Sequence, residues 1–307
     1  MFRNIALLLV ISLVVSCASA TAPKIWKNSL GITFTAIPEG RFLMGSHLSP
    51  LEVCKTYPGR SAKIFEREHP QHEVKINSFY MSQTEISVGQ FRRFTEASGY
   101  ISESERGGAR VRAPETKWLW GSRRDANWRK PYYKQDDNHP VSCMTWNDAR
   151  ALVDYLNKSV EKPEGYVYSL PTEAQWEYAC RGGSGASFYW GEKVDDGTYA
   201  NTIFDPETQT AEDPWGARAC ASGKANQFGL YDMIGNVWEW CDDAPLDYPS
   251  KSVKEKSKRV LRGGSWTSPP YYCRSAFRFI IRPNLRNSSV GIRLCLKKSV
   301  SEPLPSD

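Results

Sequence analysis

The sequence predicts an α+β domain with a small twisted sheet, two to three short helices and a heavy load of loops. Three observations carry that expectation. Strand-like alternation is confined to short runs, capped helical segments are few, and the stretches between them have no period. Eleven tryptophans among 307 residues suit loops that must be pinned by large apolar anchors.

Gly31 to Gly45 alternates around Pro38-Glu39-Gly40 and reads as two short strands joined by a tight turn. Residues 47–70 lose that alternation and read as a loop insertion, after which Glu73 to Tyr80 resumes it as a strand. Ser87 caps the first helix, Gln90 completes its capping box, and Gly99 stands at the stop. Val88, Phe91 and Phe94 form its apolar stripe. Residues 101–138 scatter Trp118, Trp120, Trp128, Tyr132 and Tyr133 among charges, so they read as a long ordered loop or a second insertion. Thr145 caps the next helix, with Asp148 at its third position and Ala149, Leu152, Val153 and Leu156 on one side. Another starts at Thr172, takes Gln175 into its box and ends at Arg181-Gly182-Gly183.

The chain opens Met1-Phe2-Arg3-Asn4, runs apolar from Ile5 to Val15 and reaches Ser16-Cys17, the order of a secretory signal. That run is too short to span a bilayer as a permanent helix. Val14-Val15-Ser16-Cys17 also fits a bacterial lipobox in which Cys17 is acylated; the other reading is an ordinary signal cut after Ala18 or Ala20. The expected organisation is a lipoprotein signal over 1–16, a tether over 17–28, one domain over 29–298 and a tail over 299–307. An outer-membrane or cell-surface lipoprotein is expected, touching the membrane through its lipid only. The net charge of +6 is spread among acids, so no basic stripe points to nucleic acid, and a monomer is expected. Without Cys17, seven cysteines remain, which leaves at least one unpaired and the connectivity open.

Several segments then occur in an order that resembles one family: Phe42-Leu-Met-Gly-Ser46, His69-Pro-Gln-His-Glu-Val74, His139-Pro-Val-Ser-Cys-Met-Thr-Trp-Asn147, Leu170 to Ala179, Gly229 to Trp240, Arg262-Gly-Gly-Ser-Trp266 and Gly291-Ile-Arg293. Together they resemble the sulfatase-modifying factor, or formylglycine-generating enzyme, family over nearly the whole mature chain. The resemblance implies a C-type lectin-like fold. It also implies structural calcium, with Asp232, Glu239 and the carbonyls of Gly235 and Val237 in one site. Asn201, Asp213 and the carbonyls of Thr202 and Trp215 make the second. Hard oxygen ligands are what calcium takes. For Glu239 the competing reading is a buried acid paired with Arg262 or Arg293.

The family's enzymes oxidise a substrate cysteine to formylglycine with copper held by two cysteines shortly after the Gly-Gly-Ser motif, since Cu(I) prefers paired soft thiolates. Here Ser265 matches the family serine, but the residues that follow reach only Cys273. No copper is expected, and Cys273 reads as a half-cystine or a buried thiol; Cys273 and Ser265 become catalytic candidates only if the enzyme reading holds. His69 and His72 flank Pro70 ahead of a strand, so they offer no helical metal pair.

The last loops suggest binding instead. Cys273-Arg-Ser-Ala276, Arg278, Pro283, Arg286 and Gly291-Ile-Arg293 alternate with Thr267, Ser268, Pro269, Pro270, Tyr271, Tyr272, Phe277, Phe279, Ile280, Ile281, Asn284, Leu285, Asn287, Ser288 and Ser289. In the family such positions are commonly polar, whereas here many are apolar on loops expected to be exposed. Exposed apolar clusters mark binding, and tyrosine-rich loops bind at low entropic cost. The segment 266–293 resembles the variable proteins of diversity-generating retroelements, of the treponemal variable lipoprotein kind, in which adenines of Asn codons are randomised. Such codons cannot become Lys, Glu, Gln, Met or Trp, and none of these five stands at the fifteen positions. They make up roughly a fifth of ordinary composition, so chance absence is about a few per cent. The expected function is ligand binding to a protein or cell-surface partner, with a cysteine-oxidising enzyme or an accessory envelope lipoprotein as the alternatives.

Overall fold

The computed structural model describes residues 24–113, 119–194, 197–202, 216–250, 252–253 and 255–299. The signal over 1–16, Cys17, Asp213, Trp215 and the tail from 300 lie outside the described residues. The N-terminal half holds β1 (Ile25–Lys27), β2 (Thr33–Ile37), β3 (Gly40–Met44), α1 (Pro50–Thr56), β4 (His72–Ile76), β5 (Phe79–Ser82), α2 (Val88–Ser98), α3 (Glu103–Gly107), β6 (Ala109–Arg112) and β7 (Trp120–Arg123). The rest holds α4 (Trp146–Ser159), β8 (Tyr166–Ser169), α5 (Glu173–Arg181), β9 (Trp238–Trp240), β10 (Arg259–Arg262), β11 (Phe279–Ile281), β12 (Val290–Gly291) and β13 (Cys295–Lys298).

The main sheet runs β1-β2-β5-β13-β8 and is antiparallel throughout. A second sheet runs β11-β10-β9-β12, and two hairpins, β3-β4 and β6-β7, stand apart. Strand alternation divides the core across the main sheet. Phe34, Tyr80 and Leu296 face α2 and α4, meeting Phe91, Phe94, Leu152 and Leu156. Ile37, Phe79, Met81 and Cys295 face the other way, toward Trp176 of α5 and Met233.

The three helices expected from their caps are present. Ser87, Thr145 and Thr172 each accept from the third helical amide while Gln90, Asp148 and Gln175 reach back, and Gly99 and Gly182 close the ends of the first and last. Two indole nitrogens also tie distant segments together: Trp240 Nε1 donates to the Met144 carbonyl at 2.9 Å and Trp146 Nε1 to that of Cys241 at 3.0 Å.

Five local expectations are corrected. β2 and β3 flank the Pro38-Glu39 turn but do not pair; β2 joins β1 and β5, while β3 pairs β4. The stretch 73–80 is divided between β4 and β5, which belong to different sheets. The segment 47–70 contains α1, with a Ser49–Glu52 capping box, and 101–138 contains α3 and the β6-β7 hairpin. The expected tether includes β1, whose pairing with β2 makes residues 25–27 part of the sheet. Among the described residues no helix is long and apolar enough to cross a membrane.

Asp243 ties the loop after β9 to the first turn of α5, accepting from the Glu173 amide at 2.7 Å. Burial lifts its carboxyl from 3.8 to about 6, against the opposing pull of that amide. The folded protein therefore keeps a proton that the unfolded chain has lost, and stability falls as pH rises from about 4 to about 6. Asp243→Asn keeps an acceptor without the charge. Its thermal midpoint is expected to match the parent at pH 4 and to exceed it at pH 7, by up to about 2–3 kcal/mol of stability. Equal midpoints at both pH values would show that the carboxylate is not strained.

Candidate ligand-binding site

The C-terminal loops start where β10 ends. Gly264 sits at φ +78°, and a Cβ there would fall 2.2 Å from Cys273 Sγ, so only glycine lets the chain fold back so closely onto that thiol. Ser265 Oγ then lies 2.9 Å from Thr267 Oγ1 and 3.1 Å from Ser268 Oγ, stitching the turn from inside. Cys273 Sγ points to the carbonyls of Ser268 at 3.8 Å and Pro269 at 3.6 Å. Burial pushes that thiol up to about 12. It is a structural thiol, not a half-cystine, and all seven described cysteines are unpaired.

Beside this turn opens a cavity of about 630 Å³. Thr267, Ser268, Pro269, Tyr272, Phe277, Phe279, Leu285, Asn287 and Ser289 line it. The remaining wall comes from places that sequence reasoning did not connect to binding: Lys63, Ile64, Glu66 and Arg67 of the 47–70 segment, Arg110 and Trp120 of the β6-β7 hairpin, and Trp238, Arg278 and Val290. The Trp238 ring lies 5.5 Å from that of Phe279 and 6.1 Å from that of Phe277, which in turn meets Tyr272 at 4.7 Å. Trp238 was visible beforehand only as part of a family motif, and Trp120 only as a loop aromatic.

The expected exposure of the fifteen positions is corrected. Ser268, Tyr271, Phe277, Ser288 and Ser289 are buried, and Phe279, at 39%, is the large apolar member that is exposed. The fold lays the 57–68 segment across these loops: Tyr271 packs against Tyr57 and Phe65, with the Arg60 guanidinium 4.8 Å above its ring. Ser288 instead serves the scaffold, its carbonyl accepting from Trp266 Nε1 and its amide donating to the Arg110 carbonyl. Ile280, Ile281 and Asn284 line a neighbouring cleft rather than the cavity, and Pro270 opens a single 3-10 turn. The set thus divides into wall residues and supports, and the recognition surface is concave.

The sulfatase-modifying factor enzyme 1-like domain matches residues 24–298, a span that contains all of the ordered motifs from Phe42 to Arg293. The chain belongs to this family. The formylglycine-generating enzyme of Streptomyces coelicolor is 32% identical over 293 residues, covering 84% of this chain and 87% of its own. Among solved structures, PvdO from Pseudomonas aeruginosa matches with TM-score 0.68 at 25% identity, covering 91% of this chain and all of its own. Treponema denticola variable protein 1 shares the fold with TM-score 0.61 at 20% identity, covering 89% of this chain and 99% of its own.

Two groups implied by membership of the sulfatase-modifying factor family can be tested against these residues. Copper on a thiolate pair does not fit: between Arg262 and Arg282 the chain carries one sulfur, that of Cys273, and it is turned into its own loop. The calcium assignment fits in part. Asp232 is buried, accepts from the Ala221 amide at 2.5 Å, and has its carboxyl raised by burial. Glu239 does not fit as assigned, because Arg293 Nε donates to both its oxygens at 2.8 and 2.9 Å and Trp176 Nε1 to one at 2.6 Å. The pairing weighed against calcium for this acid is therefore the observed one, with Arg293; Arg262 turns instead to Glu177 and Glu173. Asn201 lies in a bridge beside Gly235, so the two assigned sites adjoin. Glu85, a residue missed in the sequence, lies near Asp232. Its Oε1 accepts from Asn236 Nδ2 at 3.0 Å, while the buried Oε2 has no partner. Burial and then the charge of Asp232 hold the Glu85 carboxyl well above the ordinary range. Among the described residues no three His, Cys, Asp or Glu side chains form a metal-holding group, so any cation here would lean on backbone carbonyls.

Proposed function

We propose that this chain is an exported, lipid-anchored binding protein that holds a ligand in the aromatic cavity and does not carry out formylglycine-forming oxidation. The observation that carries the reading is the convergence of nine apolar or small polar C-terminal residues, from Thr267 to Ser289, on one cavity of about 630 Å³. That volume and its mixed aromatic and hydroxyl lining suit a ligand site. Walls fixed by buried rings and ion pairs lose little entropy on binding. The partner is a protein or cell-surface ligand met by a monomer, and the diversified-segment reading supplies a reason for the unusual apolar residues there.

Two measurements test this. An environment-sensitive anilinonaphthalene dye is expected to bind at one site, and the double substitution Phe279→Glu, Leu285→Glu to abolish its fluorescence gain while leaving the fold intact. Equal dye binding by the variant would remove the cavity from consideration. The family relationship to formylglycine-generating enzymes keeps oxidation as the second reading. Purified protein given copper and a Cys-x-Pro-x-Arg peptide is expected to yield no aldehyde; aldehyde that disappears in Cys273→Ser would make the protein an oxidase. Lipid anchoring predicts labelling by radioactive palmitate that is lost in Cys17→Ser.

Calcium belongs to the same proposal, held by Asp232 with backbone carbonyls and supported by the orphaned oxygen of Glu85. A chelator is expected to lower the thermal midpoint, and calcium at about a hundred times its Kd to restore about 2.7 kcal/mol. An unchanged midpoint in both parent and Asp232→Asn would remove the ion.

A further inference from the structure

A second depression of about 640 Å³ adjoins the aromatic cavity and shares Arg110 and Leu285 with it. Arg110, Arg123, Arg124, Lys258, Arg282 and Arg286 line it together with Ala109, Ile280, Ile281 and Leu285, and among the described residues no Asp or Glu lines it. This concentration is local, since the whole chain carries only +6. Lys258 pairs with Glu255 and Arg286 Nη1 rests 3.2 Å from the Glu103 carbonyl. Arg110, Arg124 and Arg282 meet no carboxylate among the described residues. These three like charges, gathered on one cleft, repel one another, a cost that an anionic ligand would relieve.

The cleft is also built rather than incidental. A Cβ at Gly107 would fall 2.5 Å from Arg286 Nη1, and one at Gly108, where φ is +73°, would fall 2.2 Å from the Arg123 carbonyl. The turn between α3 and β6 is therefore stripped of side chains so that these arginine-bearing segments close together. The Arg110 amide donates to the Arg286 carbonyl at 3.0 Å and the Ser288 amide to the Arg110 carbonyl at 3.0 Å, which locks the hairpin to the C-terminal loops. Guanidinium forks held on fixed backbone suit oxyanions bound by paired hydrogen bonds.

We propose that this cleft binds the sulfate or phosphate monoester groups of an anionic oligosaccharide, with an adjoining sugar ring in the aromatic cavity. The inference rests on the cavity reading above and names the class of its ligand. Single-stranded nucleic acid is disfavoured because, among the described residues, no aromatic ring lines the cleft itself to stack a base. An extended acidic peptide turns successive side chains to opposite faces, so only alternate carboxylates would reach cations that line the cleft from four chain segments. A sugar ring carries its ester groups around its edge, which matches that arrangement.

The test is calorimetric titration of the full chain with a heparin-derived tetrasaccharide, its desulfated counterpart, a phosphorylated tetrasaccharide, a glutamate hexapeptide and a single-stranded decanucleotide. The sulfated or the phosphorylated sugar is expected to bind, with affinity falling as salt rises. The desulfated sugar and the double variant Arg124→Gln, Arg282→Gln, which leaves the aromatic cavity untouched, should each bind at least about tenfold more weakly. Both arginines are exposed, so the variant folds, and dye binding in the cavity checks this. Tighter binding of the peptide or the nucleotide, or unchanged sugar affinity in the double variant, overturns the proposal. Failure of every sugar while the dye still binds overturns it alone; failure of sugars and dye together overturns the cavity reading as well.

Discussion

Glu177→Gln is expected to destabilise the domain by about 3–5 kcal/mol, seen as an earlier midpoint in urea at pH 7. Glu177 lies in α5 with no solvent exposure, and its carboxylate receives Arg262 and Arg181 as well as the Gly45 amide. Although burial opposes its charge, the two guanidinium groups hold its carboxyl below the ordinary value. Glutamine keeps an acceptor for Gly45 but leaves Arg181 and Arg262 buried, with Glu173 already bound by Arg278 through two contacts of 2.6 Å. An arginine cannot shed its proton to escape such a place. Against a domain stability of about 5–15 kcal/mol, that loss is a large share.

Arg262→Met makes the converse case, although it removes more contacts. The cluster of Glu173, Glu177, Arg181, Arg262 and Arg278 carries one more positive charge than negative. Taking Arg262 away leaves two matched pairs, Glu177 with Arg181 and Glu173 with Arg278. What is lost is the donor to the Phe277 carbonyl, at 2.5 Å, and the donor to Glu177 Oε2, while Arg181 and the Gly45 amide still hold Oε1, for a cost of about 1–3 kcal/mol. Equal destabilisation by the two substitutions would mean that contact number, rather than charge balance, governs this core.

The helices were legible because their signals are local. Ser87 with Gln90, Thr145 with Asp148, and Thr172 with Gln175 satisfy orphan amides within three residues, so the pattern and its cause occupy the same window. α1 carried the same signal in Ser49 and Glu52, and α3 in Ser102 and Glu105, but each lay in a stretch without an apolar period. Sheet membership was not legible. β2 and β3 are three residues apart yet pair with β5 and β4, and nothing local decides between a hairpin and a crossing. The cavity shows the same limit, since its aromatic C-terminal residues were visible while the wall opposite them comes from Lys63, Ile64, Glu66, Arg67, Arg110 and Trp120. Apolar side chains on a loop look exposed until the segment that covers them is placed.

That covering segment is fastened by one ion pair, and the second large effect is expected there. Arg274 grips both oxygens of Glu68 at 2.6 and 2.8 Å, joining the frame of the C-terminal loops to the 47–70 segment across 206 positions of chain. Both groups are buried, so each was costly to desolvate and each depends on the other for its partner. The two halves of the pair should then fail differently. Glu68→Gln strands a guanidinium that stays charged, losing about 3–5 kcal/mol at any pH from 5 to 8. Arg274→Met strands a carboxyl that can take a proton. In that variant the folded state binds a proton that the unfolded chain releases near 4.5, so its stability falls as pH rises and recovers as pH is lowered toward 5. Urea midpoints across this range check the contrast, and parallel pH curves for the two variants would refute it. Because Lys63, Ile64, Glu66 and Arg67 stand on the same segment, Glu68→Gln should also speed amide exchange over 62–68 and weaken dye binding, whereas Glu177→Gln acts on the core behind the cavity and leaves that exchange pattern in place.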